Sequence, residues 1–273
     1  MKKICTTLIL MISVLLSFSA FTPAFATDEI TVVLDGETLS FEQAPVIVNE
    51  RTLVPMRAIF EALNAKVNWY AEERIASAEK MGIMIDFQID NYEMYKNFVT
   101  ISLDAPAMLI NGYTMVPLRA VAESFGVEVI WDGTTKTATL TDKGILQRLD
   151  IPERGILYEG EVKDGIPYGY GTFVMQEEDA ENVMIGLFDN DNIIQGVLTK
   201  TDVSGETIMT EMKDNVPFGD FEVRYKDGSY IKGRIENNLI QGIVEIYNAG
   251  TNMKSYTNYK DGQVVAMPEA NAA

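Results

Sequence analysis

Two pairs of oppositely charged residues, Arg57 with Glu61 and Arg119 with Glu123, are each spaced four apart in this chain. On a helix that spacing lets guanidinium and carboxylate face one another, as a charged binding pair or as a structural clamp on a neighbouring loop. The structural role is the expectation, since an exposed pair is worth only ~0.3–0.5 kcal/mol. Trp69 and Trp131 could stack on a sugar ring, or close a core where truncation costs on the order of 3–5 kcal/mol. The core role is again expected. Other chemistry is scarce. The 273 residues contain no histidine. That removes imidazole general bases, Ser-His-Asp and Cys-His arrangements, and the usual copper and zinc ligand sets. Carboxylate chemistry, or a lysine or tyrosine nucleophile, is what remains. No catalytic residue, cofactor or metal site is assigned.

Three further clusters read as structure. Glu177-Glu178-Asp179 with Glu181 is an acidic loop before it is a catalytic carboxylate pair. Asp189-Asn190-Asp191-Asn192 is calcium-like in composition but lacks the downstream glutamate and flanking helices of a hand-type loop, so a turn is expected. The glycines from Gly160 to Gly171 are followed by no long amphipathic helix, so they do not cradle phosphate.

Composition narrows the setting. Lys2 and Lys3, the apolar run Leu8 to Phe18 and Ala24-Phe25-Ala26 form an export signal, with cleavage expected after Ala26. Cys5 precedes the apolar run, so the mature chain holds no cysteine and its stability must come from burial. Lys plus Arg number 22 against 40 Asp plus Glu; losing Lys2 and Lys3 leaves 20 against 40, a mature charge of −20. With no segregated basic patch, such a field excludes nucleic acid and makes binding to anionic lipid unlikely.

The elements that must position these residues are written twice. PVIVNERTLVPMRAIFEALNAKVNWY, from Pro45, is answered by PAMLINGYTMVPLRAVAESFGVEVIWD, from Pro106. Asn49 matches Asn111, Thr52 Thr114, Pro55 Pro117, Arg57 Arg119 and Trp69 Trp131, at a fixed offset. Each copy reads as strands, a short helix, then strands. Met56, Ile59, Phe60 and Leu63 form one buried helical stripe, and Leu118, Val121, Ala122 and Phe125 the other. Asn64 and Gly126 end the helices, and Asp35-Gly36 marks a hairpin. The VPMRAIFEALNAKVNW and VPLRAVAESFGVEVIWD blocks resemble the copper amine oxidase N-terminal-like domain, a stalk domain of exported bacterial proteins. The resemblance implies a surface-displayed adhesion or presentation module. It implies no oxidase, because that chemistry belongs to a separate domain with histidine copper ligands.

Residues 144–155 read as a linker around Pro152 and Gly155. Beyond it, Tyr158-Glu159-Gly160-Glu161 through Gly169-Tyr170-Gly171 resembles a MORN repeat, one β-hairpin per unit, with weaker copies from Gly186, Asn215 and Gly233. Single hairpins are marginal in water, so they must stack into one extended antiparallel sheet.

The expectation is therefore an α+β protein. It comprises a signal peptide (1–26), a duplicated stalk domain (27–143), a linker (144–155), a MORN-like hairpin module (156–266) and a disordered tail (267–273). The expected function is non-catalytic binding or scaffolding at a cell envelope or in secretion, toward an unknown extracellular protein or cell-wall polymer. Tyr168, Tyr170, Phe218, Tyr225, Tyr230 and Tyr247 are the candidate interaction surface, or equally the sheet's own core. A carboxylate-dependent hydrolase of wall polysaccharide is the alternative, and a calcium-stabilised envelope protein the third reading.

Overall fold

The computed structural model describes residues 29–152, 155–190 and 192–268. The expected export signal lies outside the described residues, as does all but the start of the expected tail. Strands make up 63% of the described residues and helices 6%, which overturns the α+β expectation: this is a β-rich fold. The two helices among the described residues, α1 (Met56–Ala62) and α2 (Leu118–Ser124), are seven residues each. Two turns cannot make a layer, so each serves as a plug, burying Ile59 and Phe60 or Val121 and Ala122. Leu53, Val54 and Pro55 finish a strand, β4 (Arg51–Pro55), because they pair with the second copy.

The duplication runs further than its motif. A shift of 62 residues (Asn49 to Asn111) carries β1 (Thr31–Leu34) onto β8 (Glu93–Lys96) and β3 (Val46–Val48) onto β10 (Met108–Ile110). The same shift carries β4 onto β11 (Tyr113–Pro117), α1 onto α2, and β6 (Ile75–Lys80) onto β13 (Thr137–Asp142). The copies meet where β4 and β11 pair antiparallel, Val54 opposite Val116, Leu53 opposite Pro117 and Pro55 opposite Met115. Since Val54 and Val116 are equivalent positions, a local two-fold axis passes between them.

Around that axis the copies interlock. One sheet joins β12 (Val127–Asp132) and β13 of the second copy to β1 and β2 (Glu37–Thr38) of the first, β1 parallel to β13. Its counterpart joins β5 (Lys66–Tyr70) and β6 to β8 and β9 (Val99–Ser102). Here, however, β7 (Ile83–Gln88) is inserted between β6 and β8, antiparallel to both. Ile83, Ile85 and Phe87 of β7 are fully buried, so the insertion belongs to the core it breaks the symmetry of. Phe60 and Phe125 close that core edge to face, 6.1 Å between ring centres.

Residues 146–265 form one antiparallel meander of eleven strands. Its first strand, β14 (Leu146–Ile151), occupies half of the segment read as a linker. Each residue of β14 pairs with β15 (Ile156–Lys163). The hairpins share a bulge. Between β15 and β16 (Ile166–Gln176) the register shifts at Glu161, whose Oε2 accepts the Tyr170 N–H at 3.1 Å. Fifty residues on, between β19 (Thr207–Lys213) and β20 (Val216–Arg224), Glu211 Oε2 accepts the Asp220 N–H at 3.0 Å. In each case the carboxylate fills the space a side chain would need. A Cβ on Gly169 or Gly219 would stand 1.9 Å from it, and both glycines have positive φ. One face of the sheet packs Tyr158, Phe173 and Phe188 into a core of its own.

Candidate functional site

The two units touch through the turn ends of the β5–β9 sheet. Lys96 ends β8 and Asn97-Phe98 makes the β8–β9 turn, with Lys96 and Asn97 almost wholly buried. Asn97 Nδ2 donates to the Gly82 and Gly171 carbonyls, each at 2.9 Å, while its Oδ1 accepts the Met84 N–H at 2.7 Å. Thr172 donates its hydroxyl to the same Gly82 carbonyl at 2.9 Å. Gly82 must be glycine, since a Cβ would fall 2.1 Å from the Glu159 carbonyl oxygen. Lys96 Nζ donates to Glu161 Oε1 at 2.6 Å and lies 4.2 Å from the centre of the Tyr170 ring. Burial pulls the Lys96 ammonium below its ordinary value, and the facing Glu161 offsets part of that. Burial, with the Glu161 charge, pushes the Tyr158 and Tyr170 phenols up.

Phe98 emerges from this joint with φ +67° and 44% of its surface exposed. Its counterpart in the first copy, 62 residues back, is Gly36, the residue a two-residue turn with both φ positive calls for. Beneath Phe98 an open trough crosses the sheet from β18 (Asn192–Asp202) to β22 (Leu239–Asn248), with adjoining volumes of about 480 and 660 Å³. Val197, Met209, Phe221 and Ile243 supply its apolar surface, and Phe218 stands on one wall. Charges of both signs line it in pairs: Asp220 with Arg234 at 3.1 Å and Glu222 with Lys232 at 3.1 Å. Glu245 pairs with Lys254 at 2.8 Å and accepts the Tyr230 hydroxyl at 2.6 Å. Burial acts to raise Glu222, but hydrogen bonds from Lys232 and Arg224 outweigh it and hold the carboxyl below its usual range. Glu245 is held down by Lys254 and Tyr230.

The six aromatic residues expected to form one surface are dispersed. Tyr170 packs against the first unit's core and belongs to the joint. Tyr168 is 49% exposed beside Lys163, the place Phe218 holds fifty residues on beside Lys213. Tyr230 and Tyr247 stack at 5.1 Å one row beyond Lys232, which lies over the Tyr230 ring. Tyr225 is half-buried next to a tight turn, its N–H donated to the Ser229 carbonyl. Among the repeat residues, Arg119 pairs with Glu123 at 3.6 Å, both side chains exposed. No ion pair joins Arg57 to Glu61 among the described residues. Trp131 packs on the core, but Trp69 does not close one: it is 42% exposed, at the end of a strand whose outer face meets water. Phe98, Met209, Glu211 and Ile243 were not singled out from sequence. The only sequence signal for Phe98 is that Asn97-Phe98 falls where Asp35-Gly36 falls in the other copy.

Glu177, Glu178 and Asp179 make the β16–β17 connection, while Glu181 lies in β17 (Ala180–Asp189). Asp189 and Asn190 lead the β17–β18 turn, whose Asp191 lies outside the described residues. Among the described residues no three His, Cys, Asp or Glu side chains cluster closely enough to hold a metal ion. No described helix is long and apolar enough to cross a membrane.

A protein described as a protease inhibitor, from Brevibacillus choshinensis, is 32% identical over 119 residues, which are 42% of this chain and 35% of that protein. The chain thus spans about a third of the length of this curated relative. Residues 33–140 match the family model of the copper amine oxidase N-terminal domain, and that stretch takes in both interlocked copies from β1 to β13. The first unit of this chain is therefore similar to the copper amine oxidase N-terminal domain.

Proposed function

We propose that the chain is a non-catalytic exported binding protein that takes an extracellular protein or cell-wall polymer into the trough under Phe98. The observation that carries this reading is the tip itself. An aromatic residue is held at positive φ, at a cost of roughly 1–2 kcal/mol, with nearly half its surface left in water. Such an arrangement repays its strain only when something else covers the ring. An apolar floor flanked by charges of both signs suits an extended polypeptide better than a polyanion. The recurring clip of Glu161 with Gly169 and Glu211 with Gly219 supports a MORN-like reading of the hairpin array.

The hydrolase alternative fares worse. General acid catalysis needs a carboxyl raised toward neutrality, whereas Glu222 and Glu245 are both held down by cationic partners. Residues 27–273, immobilised and offered envelope fractions and secreted proteins, should retain one fraction saturably. Phe98→Ser and Phe218→Ala should each weaken that retention about tenfold, the ~1.4 kcal/mol expected of an aromatic contact. Unchanged retention in both variants, or none by the parent, removes the proposal. The relative's name makes secreted proteases the first polypeptides to try, with one-to-one loss of protease activity as the readout.

A further inference from the structure

Two other cavities are the same cavity built twice. One, of about 350 Å³, has Trp69 and Arg57 from the first copy on one side and Leu109 and Thr114 from the second on the other. The other, of about 440 Å³, has Trp131 and Arg119 opposite Ile47 and Thr52, the same positions shifted by 62. Each is therefore completed across the local two-fold, by the helix start of one copy and the hairpin of its partner copy. We propose that these are two related sites for N-acetylated sugar units of a neutral glycan, separate from the trough, the Trp131 site being the weaker because Arg119 is paired with Glu123 and Glu50 lines that cavity.

The residue types select the ligand. A partly exposed indole beside half-exposed aliphatic side chains (Leu109 49%, Ile47 51%) offers a flat apolar face open to water. An amphipathic ring, with one face dry and the other wet, fits that better than a buried aliphatic anchor does. Arg57 makes no ion pair among the described residues, and guanidinium only donates. The Trp69 cavity has no carboxylate among its lining residues, so the ligand must bring an acceptor oxygen. The chain's charge of −18 opposes an anionic acceptor, which leaves a neutral carbonyl such as an acetamido group. A polymer presents that group repeatedly. Because the sites are related by a two-fold, one straight chain cannot enter both with the same polarity, and two ligands bind per protein.

The molecule carries its own probe: it has two tryptophans, one in each cavity. The probe ligand is a soluble β-linked N-acetylglucosamine tetramer, with the glucose tetramer and a short apolar peptide as controls. The acetylated tetramer should shift both indole N–H resonances of the unmodified protein and change tryptophan emission saturably. Trp69→Phe should remove the larger part of the emission change and Trp131→Phe the smaller part. Arg57→Leu in the Trp131→Phe background should abolish it, while Phe98→Ser leaves it intact. The proposal is overturned by unmoved indole resonances, by an equal response to either control, or by indifference to Arg57→Leu. None of these readouts involves the trough, so failure here leaves the proposed function standing, and the reverse.

Discussion

Lys96 shows how far a single position can be read. It stands where Leu34 stands in the other copy, so the duplication alone would make it an apolar strand residue. Instead it forms a buried ion pair with Glu161, 65 residues away, across the joint between the units. Removing one partner of such a pair is costly because the other charge is left without compensation. Lys96→Met should therefore lower unfolding free energy by about 3 kcal/mol in urea titrations, with Lys96→Met/Glu161→Gln recovering part of it. The same neighbourhood sets an alkaline signature with opposing signs. Lys96 is lowered from 10.5, so just below that pH the folded chain binds fewer protons than the unfolded one, and stability rises with pH. Tyr158 is raised from 10.0, so above that pH the folded chain keeps a proton the unfolded one has lost, and stability falls. Tyr158→Phe should flatten the alkaline loss of stability, and Lys96→Met should steepen it. Equal slopes in all three proteins would mean these groups are not buried as described. Glu161 itself was visible within the repeat motif, but its lysine was not, since nothing local marks Lys96 as different from its solvated neighbours.

At the scale of elements, the hairpin bulge and the inserted strand decide what the repeats can do. The bulge requires glycine for two reasons at Gly169 and Gly219, positive φ and a carboxylate in the way. At Gly36 only φ matters, because nothing lies within 4 Å of a Cβ there. Gly36→Ala should cost about 1 kcal/mol, and Gly169→Ala roughly 3 kcal/mol, since the alanine also displaces the carboxylate from the Tyr170 N–H. Equal losses would mean the clip contributes nothing. The glycine spacing was plain in the sequence; the carboxylate that explains it was not, because the contact forms across a register shift that no alternation pattern contains. β7 is a similar case. Its alternation of Ile83, Ile85 and Phe87 marks a strand, yet its place between β6 and β8 depends on which copy's hairpin completes which sheet. That place also makes the β8–β9 turn reach the second unit, whereas the Asp35-Gly36 turn of the other copy bonds to Leu140 and Asp142 within the first unit.

For the whole molecule, the joint predicts coupled unfolding. Asn97 is 1% exposed and spans both units with three hydrogen bonds, so neither surface is satisfied without the other. Calorimetry of residues 27–273 should show one transition, and Asn97→Ala should split it into two as the units melt separately. Two transitions in the parent would mean the joint is too weak to couple them. The sequence by itself determined the duplication, the short helices as amphipathic plugs and the succession of hairpins, because each rests on spacing within a few residues. Fold class went the other way, since helices of two turns fill gaps in sheets and form no layer of their own. Only the tertiary structure decided that the copies interlock about a two-fold, that the presumed linker is a strand, and that Trp69 lies open. The physical reason is common to all three. Pairing between distant strands is chosen by which apolar faces can be buried together, and that choice is made by the whole chain at once.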